Sequence, residues 1–88
     1  MKHQFNLFPN PIFVETGSYE GYGIKRALEA GCFKEVHSIE LSEYYYARCT
    51  SLYKDNPKVH LHFGNTVYVL PKILEQINEP ITFWLGAH

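Results

Sequence analysis

The chain has little cysteine, almost no net charge and no long apolar run. Its 88 residues include two cysteines, Cys32 and Cys49, too few for a disulfide framework and not spaced as metal ligands. The chain contains eight Lys and Arg residues and nine Asp and Glu residues. No excess or run of basic residues therefore indicates nucleic acid or a membrane surface as a partner. No segment resembles a signal peptide or approaches the roughly 20 apolar residues of a membrane span. We therefore expect one cytoplasmic domain with buried free thiols.

Short apolar segments alternate with segments of helical pattern along the chain. The predicted strands are 12–14, 36–41, 59–63 and 81–85, and the predicted helices are about 22–30, 43–53 and 67–77. Strands that alternate with helices in this way are typical of a parallel sheet with right-handed crossovers. The sequence therefore predicts an α/β fold over residues 12–88, preceded by a lead-in at 1–11.

The third strand alternates apolar residues with His60 and His62. Strict alternation predicts one wetter face, which suits the edge of a sheet. Two histidines on one strand face can bind a metal, but the sequence shows no third ligand near them. We therefore expect a solvated edge face and no metal.

The third helix carries a proline within its apolar pattern. Pro71 predicts either a kink or a main helix that begins there, and Pro80 is expected to end the helix. The apolar positions that mark this helix are Val67, Leu70, Leu74 and Ile77.

The most informative segment is 13–23, with the sequence Phe-Val-Glu-Thr-Gly-Ser-Tyr-Glu-Gly-Tyr-Gly. An apolar strand ends at Glu15, and a glycine-rich loop then leads into the first helix. Glycine lets the backbone approach a ligand closely, and the first N–H groups of the helix point toward the loop. Because open parallel sheets bind ligands at the carboxyl ends of their strands, this pattern indicates a nucleotide or nucleoside cofactor.

Two common glycine motifs fit this segment less well. The phosphate loop requires Gly-x-x-x-x-Gly-Lys-Ser/Thr, which the chain lacks. The dinucleotide fingerprint Gly-x-Gly-x-x-Gly starts at Gly21 and Gly23 but has Arg26 in place of its third glycine. A nicotinamide dinucleotide binder therefore remains an alternative that Arg26 disfavours.

The segment 15–23 resembles the S-adenosylmethionine loop of class I methyltransferases, in which an acidic residue ends the first strand and glycines follow. The resemblance extends from about Phe13 to His88 and implies a partial Rossmann-like fold, βαβαβαβ, with strand order 3-2-1-4. It implies that Glu15 lies near the amino-acid end of S-adenosylmethionine. Glu40 would accept hydrogen bonds from both ribose hydroxyl groups, and Asn65 would contact the adenine amino group. The cofactor-binding residues so implied are Glu15, Thr16, Gly17, Ser18, Gly21, Gly23, Glu40, Leu41, Asn65 and Thr66.

The end of the chain departs from the family. Residues 83–88 resemble the pattern Phe-Trp-Leu-Asp-Ala-His, with Gly86 in place of the aspartate, and the family's last three strands do not follow. His88 is a catalytic candidate by its place in this pattern. Two functions stay open: a methyltransferase of unknown acceptor, and a truncated or degenerate module that binds cofactor or self-associates without turnover.

The fourth strand is expected to be a sheet edge if the order is 3-2-1-4. Residues 81–85 are apolar, uncharged and prone to form strands, so they can pair with another chain. We therefore expect a homodimer or higher homo-oligomer, most simply a two-fold pair through this strand or the helix face beside it.

Overall fold

The fold alternates strands and helices in the order that the sequence predicts. The computed structural model describes residues 10–86. Its elements are β1 (Ile12–Thr16), α1 (Tyr22–Ala30), β2 (Glu35–Glu40), α2 (Glu43–Tyr53), β3 (Val59–Phe63), α3 (Thr66–Glu75) and β4 (Ile81–Leu85). All strand pairs are parallel, and the order across the sheet is β3-β2-β1-β4. The predicted α/β fold and strand order 3-2-1-4 are confirmed.

Each helix begins at a residue suited to that position. The Ser42 Oγ accepts a hydrogen bond from the Tyr45 N–H at 3.4 Å at the start of α2, and the Asn65 Oδ1 accepts one from the Val67 N–H at 2.9 Å at the start of α3. Gly21 precedes α1 in the left-handed conformation, with φ of 89°. These helices have 9 to 11 residues, and none between residues 10 and 86 is long and apolar enough to cross a membrane.

The core lies mainly between the sheet and the first two helices. Its buried members are Phe13, Ile24, Ala27, Phe33, Val36 and Cys49. The Phe13 and Phe33 rings pack with centroids 5.2 Å apart, and burial of each such ring stabilises the fold by roughly 2–3 kcal/mol. Because β1 lies between β2 and β4, its residues are shielded on both edges and carry Glu15 into a buried position.

Helix α3 differs in detail from the prediction. It runs without interruption through Pro71 and ends at Glu75, before Pro80. Val67 is 71% exposed and Leu74 is 39% exposed, whereas Ile73 is buried. The predicted apolar stripe is therefore wrong for two of its members, because the helix turns Ile73 rather than Leu74 toward the sheet.

Candidate functional site

Strand β1 brings Glu15 to the start of the glycine loop in a buried position. Its side chain is 2% exposed, and the Oε2 accepts a hydrogen bond from the Ser38 Oγ at 2.6 Å. The Ser38 Oγ in turn lies 2.5 Å from the Ser18 Oγ. Burial raises the pKa of Glu15 to about 7, the Ser38 hydrogen bond opposes that rise, and the charge of Glu40 adds to it. Glu15 therefore changes protonation near neutral pH.

Gly23 gives the Glu15 carboxylate its space. A Cβ at residue 23 would overlap the Glu15 Oε1. A side chain at residue 23 would therefore force the Glu15 carboxylate to move. Glycine at residue 23 lets α1 lie close to the Glu15 carboxylate. Glycine at residue 21 has a different role, because its φ of 89° lies in the left-handed region.

The glycine loop is tied to helix α2. The Tyr53 hydroxyl donates to the Gly21 carbonyl oxygen at 3.1 Å, and the Cys49 thiol donates to the Tyr19 carbonyl oxygen at 3.3 Å. Tyr19 has a φ of 45°, which costs a non-glycine residue about 1–2 kcal/mol. The contacts with α2 hold the loop in this conformation.

Glu40 ends β2 and is 4% exposed. Its Oε1 accepts a hydrogen bond from the Tyr19 N–H and its Oε2 accepts one from the Ser42 N–H, both at 2.9 Å. Each carboxylate oxygen retains a second lone pair, so one further hydrogen bond to each remains chemically possible. In this structure, Glu40 joins the glycine loop to the beginning of α2.

A cavity of about 370 Å³ opens between the glycine loop, α1 and the end of β4. Four of the predicted cofactor residues line it: Glu15, Gly17, Ser18 and Gly23. Arg26, Trp84 and Gly86 also line it and were not assigned from the sequence as binding residues. Arg26 follows Gly23 by three positions on α1, and Trp84 is the register partner of Glu15 across β1 and β4. Helical spacing and the predicted strand order therefore contained a signal for both residues.

The other predicted residues do not line this cavity. Leu41 is 66% exposed, and the Asn65 side-chain oxygen caps α3, whose first residue is Thr66. Glu40 and Gly21 belong to the contacts that shape the loop. The structure thus divides the predicted set between the cavity on the β1–β4 side and positions on the β2–β3 side. His88 lies outside the described residues.

Thr16 and Gly86 join the ends of β1 and β4. The Gly86 N–H donates to the Thr16 carbonyl oxygen at 2.7 Å, and the Thr16 Oγ1 lies 3.2 Å from the same nitrogen. A Cβ at residue 86 would overlap the Thr16 carbonyl oxygen. Glycine, which has no Cβ, therefore matches the backbone geometry at this point.

Comparisons with known proteins find solved structures of similar fold. No family model and no curated protein matches the chain. An O-methyltransferase from Bacillus cereus in complex with SAH matches with a TM-score of 0.78 and 21% identity, over 94% of this chain and 40% of that one. A predicted O-methyltransferase from Klebsiella pneumoniae matches with a TM-score of 0.66 and 15% identity, over 94% and 39%. The methyltransferase domain of bacterial CtHen1 matches with a TM-score of 0.61 and 15% identity, over 73% and 37%.

These comparisons identify the fold as the methyltransferase type of Rossmann-like fold, present in part. The chain spans about 40% of the length of the solved structures that it matches. At 21% identity or less, the likeness concerns the fold.

Proposed function

We propose that this chain is the cofactor-binding half of an S-adenosylmethionine-dependent methyltransferase. The observation that carries the proposal is the buried Glu15 carboxyl in the wall of the cavity beside the glycine loop. The match to an O-methyltransferase in complex with SAH supports it, because 94% of this chain follows that fold. The methyl acceptor is left open.

The charged side chains in the cavity fit the amino-acid group of S-adenosylmethionine. The ion pairs formed among residues 10–86 do not include Glu15, whose carboxylate accepts a hydrogen bond from the Ser38 hydroxyl. A buried carboxyl with hydroxyl partners gains most from a cation, and the α-ammonium group of S-adenosylmethionine supplies one. Arg26, in the same cavity, is suited to the cofactor's α-carboxylate. The opposite charges of Glu15 and Arg26 in one cavity therefore match the zwitterionic amino-acid end of S-adenosylmethionine.

Glu40 keeps its proposed role as acceptor for the ribose hydroxyl groups. Its two oxygens already accept hydrogen bonds from the Tyr19 and Ser42 amides, so the ribose would use the remaining lone pairs. The same contacts place Glu40 at the junction of the loop and α2. In the proposal, Leu41, Asn65 and Thr66 lie along the adenosine on the β2–β3 side.

S-adenosylmethionine supplies an activated methyl group on a sulfonium, and the protein's contribution is chiefly to position it. Glu15 and Arg26 would fix the amino-acid end, and Gly17 and Gly23 keep side chains out of its path. Gly86 offers no carboxylate near the methyl group. Any acceptor site therefore relies on groups other than residue 86.

Calorimetric titration of the purified chain with S-adenosylmethionine, SAH and NAD tests this proposal. We expect micromolar binding of the first two and none of NAD. Glu15→Gln should weaken binding by about tenfold or more, because a charge-assisted hydrogen bond contributes roughly 1.5–3 kcal/mol. The matched control is Glu75→Gln, which neutralises an exposed acid on α3. Equal affinity of the wild-type and Glu15→Gln proteins would remove Glu15 from the site.

A second candidate function is self-association through β4 without turnover. β4 pairs with β1 and is an edge strand of the described sheet, as β3 is at the opposite side. Phe83 is 48% exposed and Leu85 is 71% exposed on this strand. An apolar, uncharged edge strand is a template for pairing, and a second copy of this chain is the occupant that we propose.

A further inference from the structure

Four titratable side chains gather on one face of the sheet, away from the glycine loop. Residues two apart on a strand share a face, so Glu35 and His37 lie together on β2, as do His60 and His62 on β3. The strands pair with His37 opposite His60 and Ile39 opposite His62. The register therefore brings both pairs to the same place.

The three imidazole rings are stacked in this cluster. The His37 ring centroid lies 4.7 Å from that of His60 and 5.2 Å from that of His62, with interplanar angles of 16° and 19°. His62 is half-buried, contrary to the solvated face expected from the sequence, while His60 is exposed as expected. Burial follows because α3 covers this part of the sheet.

Hydrogen bonds orient the central ring at both nitrogens. The His37 Nε2 lies 2.8 Å from the Glu35 Oε1, and the His37 Nδ1 lies 2.9 Å from the His62 Nε2. One donor atom from each of Glu35, His37 and His60 lies within 4.8 Å of the other two. The third ligand that the sequence did not reveal is thus present, because β2 supplies both a carboxylate and an imidazole.

We propose that Glu35, His37 and His60 bind a divalent transition-metal ion of the Zn²⁺ type. Two imidazoles and one carboxylate form a donor set that zinc accepts. Zinc–ligand distances of about 2.0–2.2 Å place tetrahedral donors about 3.3 Å apart. The present donor atoms lie within 4.8 Å of one another, so side-chain rotations must bring them closer to reach that spacing.

His62 is the positioning residue in this site. A zinc ion at the His37 Nε2 takes the place of the proton shared with the Glu35 carboxylate. The ring then carries its proton on Nδ1 and donates it to the His62 Nε2, which already lies at hydrogen-bond distance. Such a second hydrogen bond fixes the orientation and tautomer of a metal-binding histidine.

The cluster borders a cavity of about 420 Å³ beneath α3. Val69, Ile73 and Ile77 form an apolar side of this cavity, and Lys72 also lines it. The exposed His60 leaves an entry path for an ion, and the cavity leaves room for a water molecule or external ligand in the fourth coordination position. The long, flexible stem of Lys72 allows its ammonium group to turn toward solvent as the ion enters.

This site is separate from the glycine-loop cavity. The residues that line the two cavities do not overlap. A test of metal binding can therefore fail while S-adenosylmethionine still binds, and the reverse also holds.

Calorimetric titration of the metal-free, reduced chain with Zn²⁺ tests the proposal. We expect one equivalent to bind with a dissociation constant in the micromolar range or below. His60→Gln removes an exposed ligand with little risk to folding, and it should weaken binding at least tenfold. His62→Ala should weaken binding by about 10–100-fold while one equivalent still binds, as expected for a positioning residue. Co²⁺ should give a visible absorption spectrum in the wild type that His60→Gln loses.

A double variant, His3→Ala with His88→Ala, is the matched control, because it removes the chain's other two histidines. It should bind Zn²⁺ as the wild type does. Cys32→Ser controls for coordination by the half-buried thiol and should also leave binding unchanged. The proposal is overturned if the wild type binds no Zn²⁺, if His60→Gln binds it as tightly as the wild type, or if either control abolishes binding.

Discussion

The Ser38 Oγ on β2 donates a 2.6 Å hydrogen bond to the Glu15 Oε2 on β1. This bond joins the two central strands at the place where the glycine loop begins. A neutral hydroxyl offsets only part of the cost of burying a carboxylate, so the pKa of Glu15 remains raised, at about 7. The residue thereby links folding to pH and, in the proposed function, cofactor binding as well.

The contribution of Glu15 to stability should fall as pH rises. Its folded pKa of about 7 exceeds the ordinary 4.5, so protonation favours the folded state. This contribution is complete below pH 4.5 and is lost as pH rises through 7, at a cost of roughly 3 kcal/mol. His37 and His62 have pKa values lowered chiefly by burial and act in the opposite direction, so the effect of Glu15 appears as a difference between proteins. Denaturant unfolding at pH 5 and 8 should show that the wild type and Glu75→Gln lose stability relative to Glu15→Gln as pH rises. Identical pH dependence in all three proteins would contradict the shifted pKa.

Cofactor affinity should rise with pH over the same range. A bound ammonium group lowers the pKa of Glu15, so binding below pH 7 must first release the carboxyl proton. We expect the affinity of the wild type for SAH to increase about tenfold from pH 6 to pH 8. Calorimetry in buffers of different ionisation enthalpy should detect the released proton. Glu15→Gln should show neither effect, and proton release by that variant would assign the titration to another group.

Gly23→Ala should disturb both folding and binding, because the new Cβ would overlap the Glu15 Oε1. We expect a loss of about 1–3 kcal/mol in the free energy of unfolding and at least a tenfold loss of SAH affinity. Gly31→Ala is the matched control. It introduces strain at a φ of 76° with no atom within 4 Å of the Cβ, so it should cost about 1–2 kcal/mol of stability and leave affinity unchanged. Equal affinities for Gly23→Ala and the wild type would show that the carboxylate is not held by this contact.

Self-association should depend on β4. A double variant, Phe83→Lys with Leu85→Lys, places like charges on the exposed face of the edge strand and should shift the chain to monomer. Val67→Lys is the control, since Val67 is 71% exposed on α3 and lies away from that edge. Sedimentation velocity at tens of micromolar measures the outcome. A wild-type chain that is monomeric at that concentration would contradict the proposal that β4 pairs with a second copy.

The sequence predicted the parts of the fold that depend on local pattern. The alternation of strands and helices followed from the apolar pattern, and strand order followed from the family resemblance. The buried face of α3 did not, because the four consecutive residues 67–70, Val-Tyr-Val-Leu, fit more than one apolar stripe. Only packing against β2 and β3 selects Ile73 over Leu74.

The candidate sites were predictable to the extent that they are local. Glu15 and Gly23 lie eight residues apart in one motif, and the structure places them in contact. The use of the Asn65 oxygen as a helix cap competes with its expected role, and sequence cannot decide between two local partners for one oxygen. The meeting of His37 with His60 depends on strand register across β2 and β3, which residue patterns alone do not fix.

The close contact between Gly86 and Thr16 also constrains how such a sequence can change. An aspartate at residue 86 and the present backbone exclude each other, because any Cβ there would overlap the Thr16 carbonyl oxygen. An aspartate can enter only if the end of β4 moves away and gives up its 2.7 Å hydrogen bond. Because the overlapping atom belongs to the backbone, no substitution at residue 16 relieves the overlap, and a side chain at residue 86 requires the ends of β1 and β4 to shift relative to each other.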